Sequence, residues 1–225
     1  MTIKNGNTMV CFRNRISEYQ EKNAKGLNVH DHLKHLSVSE LRRIQASEMN
    51  KFEVALLNIE GDLNISVMIR SACLLGASRV HVMGRRKYDQ RGTVGAQNYI
   101  TVERVDALDD SRRELHASTI LDYFQKNQLF PIFIEQGGMQ LGVASTELTI
   151  RDVILNKLDD RCHTPVIVMG NESTGIPEDL IIASKLKIPN TIVISIPQVG
   201  VIRSFNVSSA FAIACWEIKR IMGWI

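Results

Sequence analysis

Val193-Ile194-Ser195-Ile196-Pro197-Gln198-Val199-Gly200-Val201-Ile202-Arg203-Ser204-Phe205-Asn206-Val207-Ser208-Ser209-Ala210-Phe211 is the stretch whose reading decides the fold. It reads as a buried strand ending at Pro197, a loop with a mobile Gly200, and a long helix. Val207, Ala210, Phe211, Ala214 and Ile218 share one helical face. Ser204 or Asn206 can cap the helix start, because either side chain accepts from the orphan amides of a first turn. Ala212, Ile213, Cys215 and Trp216 occupy the other faces, so the helix is apolar nearly all round. Such a helix is expected to be buried on two sides, against its own sheet and against something else. The polar loop is then held between two rigid elements, which is a good place for a site.

Upstream, short apolar runs alternate with helical patterns. Residues 54–57 read as a buried strand, and the turn-rich residues 58–64 lead into a helix with Ile65, Met68, Ile69, Ala72 and Cys73 on one face. Gly76 ends that helix, and residues 79–83 form the next strand. A basic loop follows over 84–95, then a strand over 100–105 and a helix carrying Leu115, Ile120, Leu121 and Phe124. Residues 129–134 and 164–169 complete the strands, the latter followed by a turn and a short helix to Ala183. Strands alternating with helices predict an α/β fold, a parallel sheet covered on both faces. Residues 1–50 differ in being polar, basic and helix-leaning, with Ser37 and Glu40 spaced as a capping box. They read as an N-terminal extension to a domain over 51–225.

Composition narrows the classes. Over 225 residues, 44% hydrophobic and 23% charged content suffices for a substantial core, and a net charge of +3 permits a polyanionic partner without demanding one. Cys11, Cys73, Cys162 and Cys215 show no CxxC spacing, which predicts a reducing compartment with no zinc site and no disulfide framework. His30, His32 and His35 are spaced poorly for a metal and lack a completing acid cluster. Without a signal-peptide core or an apolar run of membrane-spanning length, the expectation is a soluble cytoplasmic protein that needs neither membrane nor metal.

Open parallel sheets bind ligands at the C-terminal ends of their strands. The loops there offer Asn64 and Arg70, then Gly170, Asn171, Glu172 and Gly175, then Ser204 and Asn206. No G-x-G-x-x-G, P-loop or G-x-S-x-G is present. The remaining set of amides, one acid, one arginine and backbone groups suits binding and orienting a ligand better than covalent catalysis. Singly, each has a plainer reading: Asn64, Ser204 and Asn206 as caps, Gly170 and Gly175 as turn formers, Glu172 as a helix-dipole partner, Arg70 as a solvated cation. Three polar turns at equivalent positions are harder to dismiss.

Asn64-Ile65-Ser66-Val67-Met68-Ile69-Arg70-Ser71-Ala72 resembles the first motif of the SpoU/TrmH family of RNA ribose methyltransferases. Gly170-Asn171-Glu172-Ser173-Thr174-Gly175 resembles the second, and Ile196-Pro197 through Ser204-Phe205-Asn206-Val207-Ser208 the third, with Phe205 in place of the usual leucine. The resemblance spans roughly residues 53–220. It implies a SPOUT fold with a C-terminal trefoil knot, and S-adenosylmethionine bound by Gly170, Asn171, Gly175, Ile196, Pro197 and Phe205. It also implies methyl transfer to a ribose 2′-hydroxyl of RNA and a homodimer through the knot region and last helix. Arg70 is then the residue that activates or positions the hydroxyl, with Asn64, Glu172, Ser204 and Asn206 supporting it. Arg85, Arg86, Lys87, Arg91 and Arg203 become candidate RNA contacts. The third motif looks closest to the branch acting on guanosine 18 of tRNA, with ribosomal RNA as the alternative substrate and a catalytically silent RNA-binding factor as the alternative class.

Overall fold

The computed structural model describes residues 28–84, 87–108, 115–159 and 163–225. Its centre is β1 (Glu53–Leu57), whose Val54, Ala55, Leu56 and Leu57 are all essentially inaccessible to solvent. The run is continuous rather than alternating because both faces of the sheet are covered. β2 (Arg79–Met83) lies on one side of β1 and β5 (Thr164–Met169) on the other. β3 (Thr101–Val105) extends the first half; β4 (Leu129–Gln140) and β6 (Ile192–Ser195) extend the second. Every pairing is parallel, in the order β3-β2-β1-β5-β4-β6. From β1 the chain runs outward through β2 and β3, crosses to β4 on the other half, returns to β5 beside β1, and ends at the edge strand β6. That change of side opens a crevice between the loops after β1 and β5.

Helices α2 (Asp62–Leu74), α4 (Ala144–Asp159) and α6 (Val207–Met222) pack together, while α3 (Ala117–Lys126) packs on α5 (Glu178–Lys187). The face predicted for α2, Ile65, Met68, Ile69, Ala72 and Cys73, is buried throughout. So are Val207, Phe211, Ala214 and Ile218 of α6, whose cap is Asn206 rather than Ser204.

Some expectations need correction. The strand read as ending at Pro197 stops at Ser195, leaving Ile196 and Pro197 in the loop. Leu115 precedes α3 and instead pairs with Leu108 in an isolated antiparallel bridge. α4 was not foreseen. Its Ile150 and Ile154 are buried while Leu148 and Leu155 face solvent, so its apolar residues mark no single face.

Residues before β1 are tied to the elements that follow. Helix α1 (Val38–Ser47) starts with the Ser37–Glu40 capping box and buries Val38 and Leu41. Arg42 Nε donates to the Asn98 carbonyl at 2.6 Å, and Gln45 Nε2 to the Cys73 carbonyl at 3.0 Å. Cys73 and Cys215 are free and buried; Cys11 and Cys162 lie outside the described residues. Among the described residues, no helix is long and apolar enough to cross a membrane, and no group of three His, Cys, Asp or Glu could hold a metal ion.

Candidate active site

The loop after β5 is tied into a tight turn. Asn171 and Gly175 exchange backbone hydrogen bonds at 3.1 and 2.9 Å, and Asn171 Oδ1 accepts from the Ser173 and Thr174 amides. Gly175 has φ +70°, and a Cβ on Gly170 would lie 2.5 Å from the Gly175 carbonyl carbon. Only glycine fits that second position, because the clash is with backbone. Asn171 Nδ2 donates across the crevice to the Asn58 carbonyl at 2.8 Å, joining this loop to the one after β1.

Glu172 strengthens the junction. Its Oε2 accepts from the Glu60 amide at 2.8 Å, and its Oε1 from the Gly61 amide at 3.0 Å and Asn64 Nδ2 at 2.7 Å. Partial burial opposes ionisation, but the donors at Glu60, Asn64 and Gly61 outweigh it and hold the carboxyl below its usual range. Asn64 is not the cap of α2, a position taken by Gly61. Its Oδ1 instead accepts from Asn206 Nδ2 at 3.2 Å. Asn206 Oδ1 meanwhile caps α6 through the Ser208 and Ser209 amides at 2.9 and 3.4 Å. Glu172 of the β5 loop, Asn64 in the first turn of α2 and Asn206 at the cap of α6, far apart in sequence, thus form one hydrogen-bonded chain.

Beside that chain lies a cavity of about 580 Å³, within the ordinary range for small-molecule sites. Gly170, Asn171, Glu172, Gly175, Ile196, Arg203, Ser204, Phe205 and Asn206 are all on its wall; Pro197 is not. Glu135 and Gln136, directly after the buried half of β4, were missed. Gln136 Nε2 holds the Arg203 carbonyl at 3.0 Å, and Glu135 Oε2 accepts from the Ile176 amide at 3.1 Å. Their signal was an acid and an amide directly after the apolar run of a parallel strand, where such sheets bind ligands.

Arg70 stands apart. It is exposed at the rim of a second hollow of about 330 Å³, with Leu74, Thr93 and Tyr99. Six residues along α2 from Asn64 place it about 9 Å further along the axis and about 120° round. Within one chain it therefore does not join the Glu172–Asn64–Asn206 group. Of the basic loop, Arg85 and Arg86 lie outside the described residues, Lys87 is exposed, and Arg91 is paired with Asp89 at 2.6 Å.

The family model described as SpoU rRNA Methylase matches residues 51–216. A tRNA (guanosine(18)-2'-O)-methyltransferase of Escherichia coli (strain K12) is 26% identical over 160 residues, covering 70% of this chain; the chain spans 58% of that relative's length. Among solved structures, a TrmH/SpoU tRNA modifying enzyme of A. aeolicus superposes with a TM-score of 0.58 at 21% identity, over 83% of this chain and 82% of that one. The SpoU methyltransferase AviRb of Streptomyces viridochromogenes, solved in complex with the cofactor AdoMet, gives 0.52 at 20% identity, over 75% and 59%. At these identities the structural likeness establishes the fold.

Proposed function

Because the chain belongs to the SpoU rRNA methylase family, we propose that it is an S-adenosylmethionine-dependent methyltransferase acting on a ribose 2′-hydroxyl of RNA in the cytoplasm. The observation that carries this reading is the Glu172–Asn64–Asn206 chain set beside the 580 Å³ cavity. A silent binding protein has no need of so specific a convergence. The cavity suits the cofactor in chemistry as well as size. Ile134, Ile196 and Phe205 offer apolar surface for a base, Gly170 and Gly175 allow close backbone approach, and Glu135 and Ser195 offer polar contacts. Gly170, Asn171, Gly175, Ile196 and Phe205 are the proposed holders, with Pro197 shaping the loop behind them.

The bound cofactor supplies a methyl group already activated on a sulfonium sulfur. What the protein must add is placement of the acceptor hydroxyl. Asn64 and Asn206 fix one another and the start of α6, while Glu172, engaged by three donors, is a strut rather than a general base. Arg70 is also a poor base, since a guanidinium does not give up its proton below about pH 12; its role in this reading is to position the ribose and its phosphate. Ser204 and Arg203, on the cavity wall, face the acceptor, and the cations of the 85–91 loop meet RNA phosphates.

The separation of Arg70 from the cavity supports a homodimer as the working unit. Next to Arg70, Leu74 and Leu75 of α2 and Ile213 and Trp216 of α6 line an apolar hollow of about 510 Å³. A second copy seated there covers this surface and stands beside Arg70. The reading also includes the trefoil knot. Its support is that the segment leaving the edge strand β6 returns across the sheet so that Asn206 meets Asn64.

Transfer RNA is the favoured substrate, with guanosine 18 the favoured nucleotide, from the relative in Escherichia coli and the wording of residues 196–204. The test is transfer of radiolabelled methyl to separated tRNA and rRNA from cells lacking the gene, followed by nuclease mapping. Label at guanosine 18 of tRNA is expected, and label on rRNA would move the substrate. Arg70→Ala should abolish transfer while RNA affinity persists. Absence of both label and cofactor binding would overturn the reading.

A further inference from the structure

We propose that Glu135 recognises the ribose diol of the methyl donor and so selects a ribonucleoside cofactor; this rests on the reading above that the cavity holds S-adenosylmethionine. Two carboxylates line the cavity, and the β5 loop separates their duties. Glu172 turns toward the β1 loop and α2, where three donors engage it. Glu135 ends the apolar part of β4, on the other side of β5, and meets the same loop at Ile176. Of the residues assigned above to the acceptor, Asn206 is on the cavity wall and is tied to Asn64 beyond it, so the Glu135 side is assigned to the nucleoside.

The local geometry fits that task. Glu135 Oε1 accepts from the Gln136 amide at 2.8 Å and Oε2 from the Ile176 amide at 3.1 Å. Each oxygen is thus fixed by one backbone donor, while an ionised carboxylate has about four acceptor positions in all. One remains on each oxygen, and two adjacent acceptors match the two adjacent hydroxyl donors of a ribose. Gly175 makes room: a Cβ there would lie 2.7 Å from Glu135 Oε2, and its φ of +70° disfavours any other residue. Ile134 and Ile196 provide apolar surface nearby for the adenine. An acid at the C-terminal end of a parallel strand serves the same purpose in dinucleotide-binding folds, where it hydrogen-bonds a ribose hydroxyl.

The test is calorimetric titration of wild type and Glu135→Gln with S-adenosylhomocysteine and with its 2′-deoxy and 3′-deoxy ribose analogues. Wild type should bind the deoxy analogues about 10-fold or more weakly, as for the loss of a hydrogen bond to a charged group. Glu135→Gln should bind S-adenosylhomocysteine weakly by a similar factor and lose most of the discrimination between ribose and deoxyribose. Gln136→Ala, which releases the Arg203 carbonyl without touching the carboxylate, should keep the discrimination. A purely structural role at Ile176 would lower affinity for all three ligands equally and leave their ratio unchanged, overturning the proposal. Equal wild-type binding of ribose and deoxyribose forms would overturn it while leaving the cofactor reading intact. No wild-type binding of any would overturn both.

Discussion

Glu172 shows how a single side chain can be both fastening and functional. Its carboxylate joins the loops after β1 and β5, and its proton affinity is lowered by the donors that overcome its partial burial. A carboxyl whose folded-state pKa lies below its ordinary 4.5 contributes stability above that value and loses it as pH falls through the folded value. Urea midpoints measured from pH 7 downward should therefore fall on the acid side of pH 4.5, and Glu172→Gln should flatten part of that fall. An unchanged acid limb in Glu172→Gln would assign the sensitivity to other groups. Asn206→Ala removes both the α6 cap and the contact to Asn64. A lost cap of this kind costs about 1 kcal/mol, readable as a lower denaturation midpoint, and methyl transfer should drop by more than that loss of folded protein explains.

At the scale of elements, the β5 loop tolerates little change. In Gly170→Ala the new methyl meets Gly175 backbone, which cannot swing aside as a side-chain tip could. Overpacking of this sort costs about 1–3 kcal/mol, and cofactor affinity should fall with it; a variant that bound normally would show the turn to be looser than described. Helices α2 and α6 each bury a cysteine, and burial pushes the Cys73 thiol up to about 11 and Cys215 well above its ordinary value. Iodoacetamide at pH 8 should leave both unlabelled in folded protein and label both in urea, as peptide mass spectrometry would show. The elements most legible in the sequence were those whose burial forces a simple pattern, namely β1, β2, β5, α2 and α6. α4 was illegible because Leu148 and Leu155 interrupt its buried stripe. Asn64, Glu172 and Asn206 could be named from strand-end position and motif spacing, but not their mutual hydrogen bonds, which join residues more than a hundred positions apart. Likewise His81 reads only as a polar residue in an apolar strand; its burial rests on Glu53 Oε2 at 2.5 Å and the Tyr123 hydroxyl at 3.0 Å, from two other elements.

For the whole molecule, the exposed apolar surface on α2 and α6 is the feature one chain leaves unexplained. Leu74 is 73% and Trp216 53% exposed, although a helix apolar on several faces ordinarily buries them. Sedimentation should give a dimer for the wild type and a monomer for Trp216→Glu, with methyl transfer lost in the monomer if Arg70 must act beside a second copy. An active monomer would contradict that arrangement. Most direct for the central claim, ribose methylation, is alkaline hydrolysis of RNA labelled by this protein with radioactive S-adenosylmethionine. A 2′-O-methyl group removes the neighbouring hydroxyl on which alkaline cleavage depends. The account predicts label in alkali-resistant dinucleotides; label recovered in mononucleotides would place the methyl on a base and contradict it.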